Sequence, residues 1–144
     1  MRIGFDFDGI IHTNVENNLW SRNPLNHNRR DNPCFPLICD KIRDYHRRGY
    51  EIFIITAITG QLEIIRDNLT HCGITPAMIP DSNIRTIGYQ SKADLAIQLG
   101  LEEFHDDSQY DIDDFRSKVH LLPTPFILYQ EFPERNAIQI VLQK

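Results

Sequence analysis

Short runs of consecutive hydrophobic residues alternate along the chain with segments in which hydrophobic residues recur every three or four positions. The continuous runs predict strands that are covered on both faces, and the spaced segments predict amphipathic helices. The clearest runs are Arg2 to Phe7 and Tyr50 to Ile55, which are rich in β-branched and aromatic residues. The alternation predicts an α/β fold, a three-layer sandwich with helices on both faces of a mostly parallel central sheet.

Three segments of helical spacing each stop at a glycine, the residue that most readily follows a helix C-terminus. We predict that the first three helices stop at Gly49, Gly73 and Gly100. The hydroxyl of Ser91 is placed to cap the start of the third helix. A fourth, very acidic helix is predicted from Ser108 to about Ser117.

Five shorter segments predict further strands. They are Ala77 to Ile79, Glu102 to His105, Val119 to Leu122, Phe126 to Gln130 and Ala137 to Leu142. The last two alternate between apolar and polar residues, and a turn around Pro133 and Asn136 joins them. They predict a C-terminal β-hairpin extension that lengthens the sheet or buries an edge against another subunit.

Residues 10–32 depart from this alternation, with many asparagines and arginines and little hydrophobic periodicity. We predict a single domain, residues 1–144, into which this segment is inserted as an irregular flap or rudimentary cap. The flap's Trp20 either covers a base or a sugar or anchors the loop on the core. Its arginines either steer an anionic substrate or are simply solvated. These arginines are Arg22, Arg29 and Arg30.

The net charge of −5 and the sequence pI near 5.6 exclude a basic field over the whole surface. Charge therefore does not favour binding to a long nucleic acid, although a local basic patch is not excluded. The opening MRIGFDFDG is too short and too acidic for a signal peptide, and no later stretch has the apolar length that spans a bilayer. We expect a cytoplasmic protein with no membrane partner.

The three cysteines, Cys34, Cys39 and Cys72, cannot all pair with one another and form no C-x-x-C motif. This pattern predicts reduced, mostly buried thiols. A zinc site built from Cys34, Cys39 and a nearby histidine is disfavoured, because the spacing does not match that of structural zinc sites.

Acidic and polar side chains stand at the carboxyl ends of the predicted strands, where open parallel sheets bind ligands. They are Asp6 and Asp8 with Gly9 after the first strand, Thr56 after the second, Lys92 at the start of the third helix, and Asp106 with Asp107 after the strand near Phe104. Carboxylates that converge from two strands repel each other unless a hard cation lies between them. Oxygen ligands of this kind suit Mg²⁺, so the sequence predicts a magnesium site.

These residue types match the needs of phosphoryl transfer, in which charge is neutralised and the leaving oxygen is protonated. Asp6 would attack phosphorus and form an aspartyl phosphate. Asp8 would give a proton to the leaving alkoxide and later take one from water. Thr56 and Lys92 would donate to the phosphoryl oxygens. Gly9 would let the chain turn so that backbone N–H groups face the phosphate.

Four motifs, in this order, resemble those of the haloacid dehalogenase superfamily of phosphohydrolases. They are IGFDFDGII, IFIITA, the lysine of SKAD, and EFHDDSQYD, and they extend over Arg2 to Asp111. The resemblance implies a Rossmann-type fold in a small, capless or minimally capped member. Such members either act on large substrates that cover the site or close the site with a neighbouring subunit. The resemblance is therefore compatible with a homo-oligomer. Ile10 departs from the Thr or Val more usual in the family, but the backbone role is unaffected.

The resemblance implies that Asp6 is the nucleophile and a metal ligand. It implies that Asp8 is the acid and base and binds the metal through its backbone carbonyl. The residues that would hold the phosphate are Thr56 and Lys92.

The acidic run in the fourth motif offers two sets of metal ligands. By the resemblance, Asp106 is a metal ligand and Asp107 is a second or water-mediated one. The pair Asp107 and Asp111 also fits a DxxxD form of the motif. From the residues themselves, Asp111, Asp113 and Asp114 are better explained as the solvated start of an acidic helix, where the helix dipole favours negative charge.

Two histidines lie near these motifs. His12 follows Gly9 closely enough to touch a substrate, but a structural or exposed role explains a loop histidine better. By strand alternation His105 points away from Asp106, so we interpret it as a packing residue.

We therefore predict a magnesium-dependent phosphomonoester hydrolase that acts through an aspartyl phosphate on Asp6, with a small phosphorylated metabolite or nucleotide as substrate. One alternative is a protein that binds a phosphorylated ligand or a metal without chemistry. Another is a phosphatase that acts on the phosphorylated end of a macromolecule. The sequence does not distinguish hydrolysis from transfer of phosphate to an acceptor other than water.

Overall fold

The computed structural model of the chain describes residues 1–12, 32–132 and 137–144. The strands in these residues are β1 (Arg2–Phe5), β2 (Glu51–Thr56), β3 (Ile84–Thr86), β4 (Glu103–Asp106), β5 (Phe126–Gln130) and β6 (Ile138–Leu142). They form one sheet in the order β3-β2-β1-β4-β5-β6. Neighbouring strands are parallel except β5 and β6, which are antiparallel. The predicted fold class and the C-terminal antiparallel pair are therefore confirmed.

Helices cover both faces of this sheet. In the described part of the chain they are α1 (Pro36–Arg47), α2 (Leu62–His71), α3 (Lys92–Leu99) and α4 (Gln109–Ser117). Ile52 and Ile54 of β2 belong to the hydrophobic cluster that contains α1 and α2, whereas Phe53 and Ile55 belong to the cluster that contains α3 and α4. Alternate residues of one continuous hydrophobic run thus serve two cores, as the run predicted.

Two of the predicted strands are wrong. In the segment Ala77 to Ile79, the Ile79 N–H donates to the Thr75 carbonyl (3.1 Å), so the segment is part of a turn. The strand at this edge of the sheet is β3, which comes later in the chain. The segment Val119 to Leu122 contains a 3-10 helix, Val119–Leu121. The last residue of each segment is nevertheless buried. Hydrophobicity therefore indicated burial correctly but not the backbone conformation.

Cys34 and Cys72 form a disulfide with their Cα atoms 5.5 Å apart, so the prediction that all three thiols are reduced is wrong. The fold brings together two residues that are 38 positions apart, Cys72 at the end of α2 and Cys34 in the segment before α1. Cys39 is free, and burial raises the pKa of its thiol to about 11. Because disulfides are uncommon in reducing compartments, this bond does not favour the cytoplasmic location that we expected from the sequence.

Most of the flap predicted for residues 10–32 lies outside the described residues. Also outside them are Trp20, Arg22, Arg29, Arg30, Pro133 and Asn136. The single-domain organisation of the chain stays a prediction. None of the helices in the described ranges has the length and apolar character needed to cross a membrane.

Candidate active site

The carboxyl ends of three strands meet in the middle of the sheet, because β1 lies between β2 and β4. Phe5, the last residue of β1, is level with His105 of β4. The next residue, Asp6, donates its backbone N–H to the His105 carbonyl (2.9 Å). Thr56 is the last residue of β2, and Asp106 is the last residue of β4. The parallel register thus places the predicted site residues at one edge of the sheet.

Asp6, Asp106 and Asp107 form an acidic cluster at this edge. Each offers a carboxylate oxygen, and these three oxygens lie within 4.8 Å of one another. Asp6 and Asp106 are buried and Asp107 is exposed, so the cluster opens to solvent on one side. The N–H of Ser108 donates to Asp106 Oδ1 (3.0 Å), which fixes the Asp106 side chain. This geometry can hold a cation.

The ammonium group of Lys92 lies against the acidic cluster. Its Nζ is 3.0 Å from Asp6 Oδ1, 3.0 Å from Asp106 Oδ2 and 2.8 Å from Asp111 Oδ2. Lys92 is the first residue of α3, and Ser91 caps this helix by accepting a hydrogen bond from the Asp94 N–H (3.0 Å). The predicted cap is confirmed. The helix start thus delivers the lysine to the edge of the sheet.

The charges of the site shift the pKa values of its residues. Burial raises the pKa of Asp6 to about 7, while the Lys92 ammonium opposes this shift and Asp107 adds to it. Burial and the neighbouring Asp6 raise the pKa of Asp106 well above its ordinary value. Burial alone would lower the pKa of Lys92, but Asp6, Asp106 and Asp111 together raise it. Several carboxylates thus lie around one ammonium group, an arrangement that a bound divalent cation would relieve.

Asp8 lies in the turn that follows β1. Gly9 has φ of 79°, in the left-handed region that glycine adopts without strain, and this matches the sharp turn expected there. The N–H groups of Ile10 and Ile11 bond to the Phe7 carbonyl (3.2 and 3.0 Å), which closes the turn. The Asp8 carboxylate points to a histidine, with Oδ1 2.8 Å from His12 Nε2.

Thr56 is almost fully buried at the end of β2. Its hydroxyl accepts a hydrogen bond from the Ile58 N–H (3.3 Å), and its carbonyl accepts one from the Ile87 N–H (2.9 Å). These bonds fix both the side chain and the backbone where β2 leaves the sheet.

Asp111 and Asp114 are not simply solvated, so the interpretation of these two residues as a solvated helix start is wrong. Asp111 contacts Lys92, and Asp114 Oδ2 accepts hydrogen bonds from the Ser91 hydroxyl (2.7 Å) and the Ala93 N–H (3.2 Å). The available signal was their spacing of three residues, which places both on the α4 face that packs on α3. Asp113 is exposed, as predicted, and its carboxylate accepts a hydrogen bond from Gln109 on the same helix.

Replacing Asp114 by alanine should lower the free energy of unfolding by about 1–2 kcal/mol, because two donors at the start of α3 lose their acceptor. Urea unfolding followed by circular dichroism measures this change. Asp113→Ala on the same helix is the matched control and should stay within about 0.5 kcal/mol of the natural chain. Equal stability of the two variants would contradict the anchoring role of Asp114.

The two histidines differ from each other in their surroundings. His12 is fully buried and contacts Asp8, so the exposed alternative is wrong and the structural alternative is compatible with its burial. His105 stacks between Phe5 and Tyr129, with ring centroids 4.2 and 4.6 Å away, as a packing residue should. Its ring nitrogens also contact two glutamates, Glu103 (2.7 Å) and Glu131 (2.6 Å).

No protein-family model matches the sequence, and no curated protein matches it significantly. The structure is similar to a chain of a solved Pnkp1/Rnl/Hen1 complex, with a TM-score of 0.59 and 16% identity over 91% of this chain and 47% of that chain. It also aligns with a hypothetical protein from Pyrococcus horikoshii OT3, with a TM-score of 0.41 and 20% identity over 81% of this chain and 38% of that one. This chain therefore spans less than half the length of either protein.

The likeness to the chain of the Pnkp1/Rnl/Hen1 complex supports the α/β architecture. At 16% identity it shows the fold alone. The fold that this likeness supports is an α/β sandwich of the Rossmann-like type.

Proposed function

We propose that this protein is a magnesium-dependent phosphatase that hydrolyses phosphomonoesters through an aspartyl phosphate on Asp6. The observation that carries the proposal is the convergence of the acidic cluster with the Lys92 ammonium, which lies 3.0 Å from both Asp6 and Asp106. A carboxylate nucleophile, a set of oxygen ligands for a cation and a positive group for phosphate are what phosphoryl transfer requires.

The acidic cluster fits Mg²⁺ in its donor set, which consists of carboxylate oxygens. Asp6, Asp106 and Asp107 would hold the cation through these oxygens, and Asp8 would add its backbone carbonyl. When bound, the cation neutralises charge on the phosphoryl group and on the carboxylates around it.

In the first step, a carboxylate oxygen of Asp6 attacks phosphorus in line with the ester oxygen, and the bond from phosphorus to that oxygen breaks. Asp8 gives its proton to the departing alkoxide. In the second step, Asp8 takes a proton from water as the water oxygen attacks phosphorus, and the bond to Asp6 breaks. Inorganic phosphate leaves, and both carboxyl groups return to their starting states.

Lys92 and Thr56 bind the phosphoryl oxygens during both steps in this proposal. Lys92 already contacts the nucleophile, so an oxygen of the bound phosphate would replace one of its carboxylate contacts. The Thr56 hydroxyl is held at the adjacent strand end and can donate its own hydrogen.

The substrate we propose is a small phosphorylated metabolite or nucleotide. The net charge of −5 offers no broad positive surface for a long polyanion. The phosphorylated end of a macromolecule is the alternative, because an end can enter the site without binding along its length.

A panel of phosphate esters, assayed for phosphate release with Mg²⁺ and with a chelator, tests the proposal. Sugar phosphates, nucleotides and a phosphorylated oligonucleotide end should be included. We expect release from at least one ester, abolished by the chelator. Binding of Mg²⁺ and phosphate without turnover of any ester would favour a non-catalytic binding protein. Added alcohols or nucleosides would reveal transfer to acceptors other than water.

A further inference from the structure

We infer that His12 is a positioning residue for Asp8: it holds the carboxyl group that serves as acid and base, and Asn32 holds the histidine in turn. This inference rests on the proposed function, since it assigns a role within the same reaction. It concerns residues of the turn after β1 and of the segment that leads into α1.

The contacts form a short polar chain. His12 Nε2 lies 2.8 Å from Asp8 Oδ1, and His12 Nδ1 lies 3.1 Å from the amide nitrogen of Asn32. The histidine is fully buried, and its ring packs on Phe7 with centroids 4.6 Å apart. Asp8 is partly exposed, with 27% of its side chain accessible, so these contacts run from the interior to the surface of the protein.

The Asn32 contact fixes which ring nitrogen carries the proton. The amide N–H₂ of Asn32 only donates, so His12 Nδ1 accepts and holds no hydrogen. In the neutral ring the proton is then on Nε2, which donates to Asp8 Oδ1. With Oδ1 engaged by this N–H, we assign the proton that Asp8 transfers to Oδ2.

Further bonds hold His12 and Asn32 in place. The Gly9 N–H donates to the His12 carbonyl (3.2 Å), and the His12 backbone also forms an isolated bridge with Cys34. The carbonyl of Asn32 accepts a hydrogen bond from the Asn68 amide of α2 (3.3 Å). The polar chain is therefore anchored both to its own turn and to a helix, as a group that orients a catalytic carboxyl requires.

The test compares two substrates with different leaving groups, an alkyl phosphate and p-nitrophenyl phosphate. Departure of the alkoxide needs the proton from Asp8, whereas p-nitrophenolate is weakly basic and leaves with little assistance. His12→Leu should lower kcat/KM for the alkyl ester about 10–100-fold and for the aryl ester less than about threefold. A merely structural role would lower both values equally.

His12→Gln is the matched variant, because its amide can still donate an N–H toward Asp8, and it should recover most of the loss on the alkyl ester. Equal losses on both esters, or no loss on either, with an active natural chain would overturn this inference alone. A natural chain that releases phosphate from neither of these esters nor from any ester of the panel would overturn the proposed function with it. Long-range ¹H–¹⁵N spectra of the natural chain give a readout besides activity: a proton on Nε2 of His12 supports the inference, and a proton on Nδ1 overturns it.

Discussion

Asp6→Asn should reduce magnesium-dependent phosphate release by at least about a thousandfold, because the amide cannot attack phosphorus as a carboxylate does. The substitution keeps the size of the side chain, and the Lys92 ammonium still has Asp106 and Asp111 as partners. The fold should therefore survive. Steady-state assays on any ester that the natural chain hydrolyses measure the loss, with circular dichroism as the check on folding.

The same substitution should change stability in a direction that depends on pH. Burial raises the pKa of Asp6 from 3.8 to about 7. The unfolded chain therefore loses this proton first as the pH rises, and the cost to stability in the metal-free protein is fully present above about pH 7. Asparagine removes that cost, and the metal-free variant should melt at a higher temperature than the natural chain at about pH 8. The gain should shrink as the pH falls below about 7 and vanish at about pH 4, where Asp6 is protonated in the unfolded chain as well.

A conservative change elsewhere serves as the control for Asp6→Asn. Asp113→Asn alters an exposed carboxylate on α4 and should leave turnover unchanged. If Asp6→Asn kept a tenth or more of the natural rate, Asp6 would not be the nucleophile. If both variants lost activity equally, the loss would reflect general charge rather than chemistry.

Lys92→Met should lower the free energy of unfolding of the metal-free protein by about 3–5 kcal/mol at about pH 8, because buried carboxylates lose their counter-charge. The folded-state pKa of Lys92 is raised above its value in the unfolded chain. Its contribution to stability is therefore fully present at every pH below the unfolded-state pKa, which includes the neutral range. Lys92 opposes the upward pKa shifts of Asp6 and Asp106, so those shifts grow in the variant. The destabilisation should shrink as the pH falls toward about 7, because these carboxyls take up protons in the variant before they do so in the natural chain.

Urea unfolding at about pH 8 and about pH 5.5 measures the effect of Lys92→Met, and added Mg²⁺ should restore part of the stability. Lys118→Met is the control, because Lys118 also pairs with carboxylates, Asp94 and Asp114, but at the surface. It should change stability far less than Lys92→Met. Equal stability of Lys92→Met and the natural chain at the higher pH would show that the ammonium is not needed to balance the cluster.

The fold class could be predicted because β2 is buried on both faces and therefore appears in the sequence as a continuous apolar run. Such a run is typical of a strand in a parallel sheet that is covered by helices on both faces. β3 was missed because that strand has only three residues, of which one is buried. The apolar segment Ala77 to Ile79 was chosen instead, although its backbone bonds close a turn. Hydrophobic patterns report which side chains are buried, and hydrogen bonding within a turn is not visible in them.

For the candidate site, too, the sequence predicted some features and missed others. The rule that ligands bind at the carboxyl ends of parallel strands was enough to select Asp6, Thr56 and Asp106 from the sequence. The contacts of His12 with Asn32 and of Asp111 with Lys92 were not predicted, because these partners lie 20 and 19 positions away. Such contacts depend on how loops and helices pack, and no local spacing encodes them.

The disulfide closes the segment between Cys34 and Cys72 into a covalent ring. α1, β2 and α2 lie inside this ring together with Thr56, whereas Asp6 and Lys92 lie outside it. The ring persists when the chain unfolds, so it restricts the conformations of the unfolded state. It also means that a single proteolytic cut within the ring leaves both fragments covalently joined. A nicked molecule would keep Thr56 covalently linked to Asp6 until a thiol reductant opened the ring.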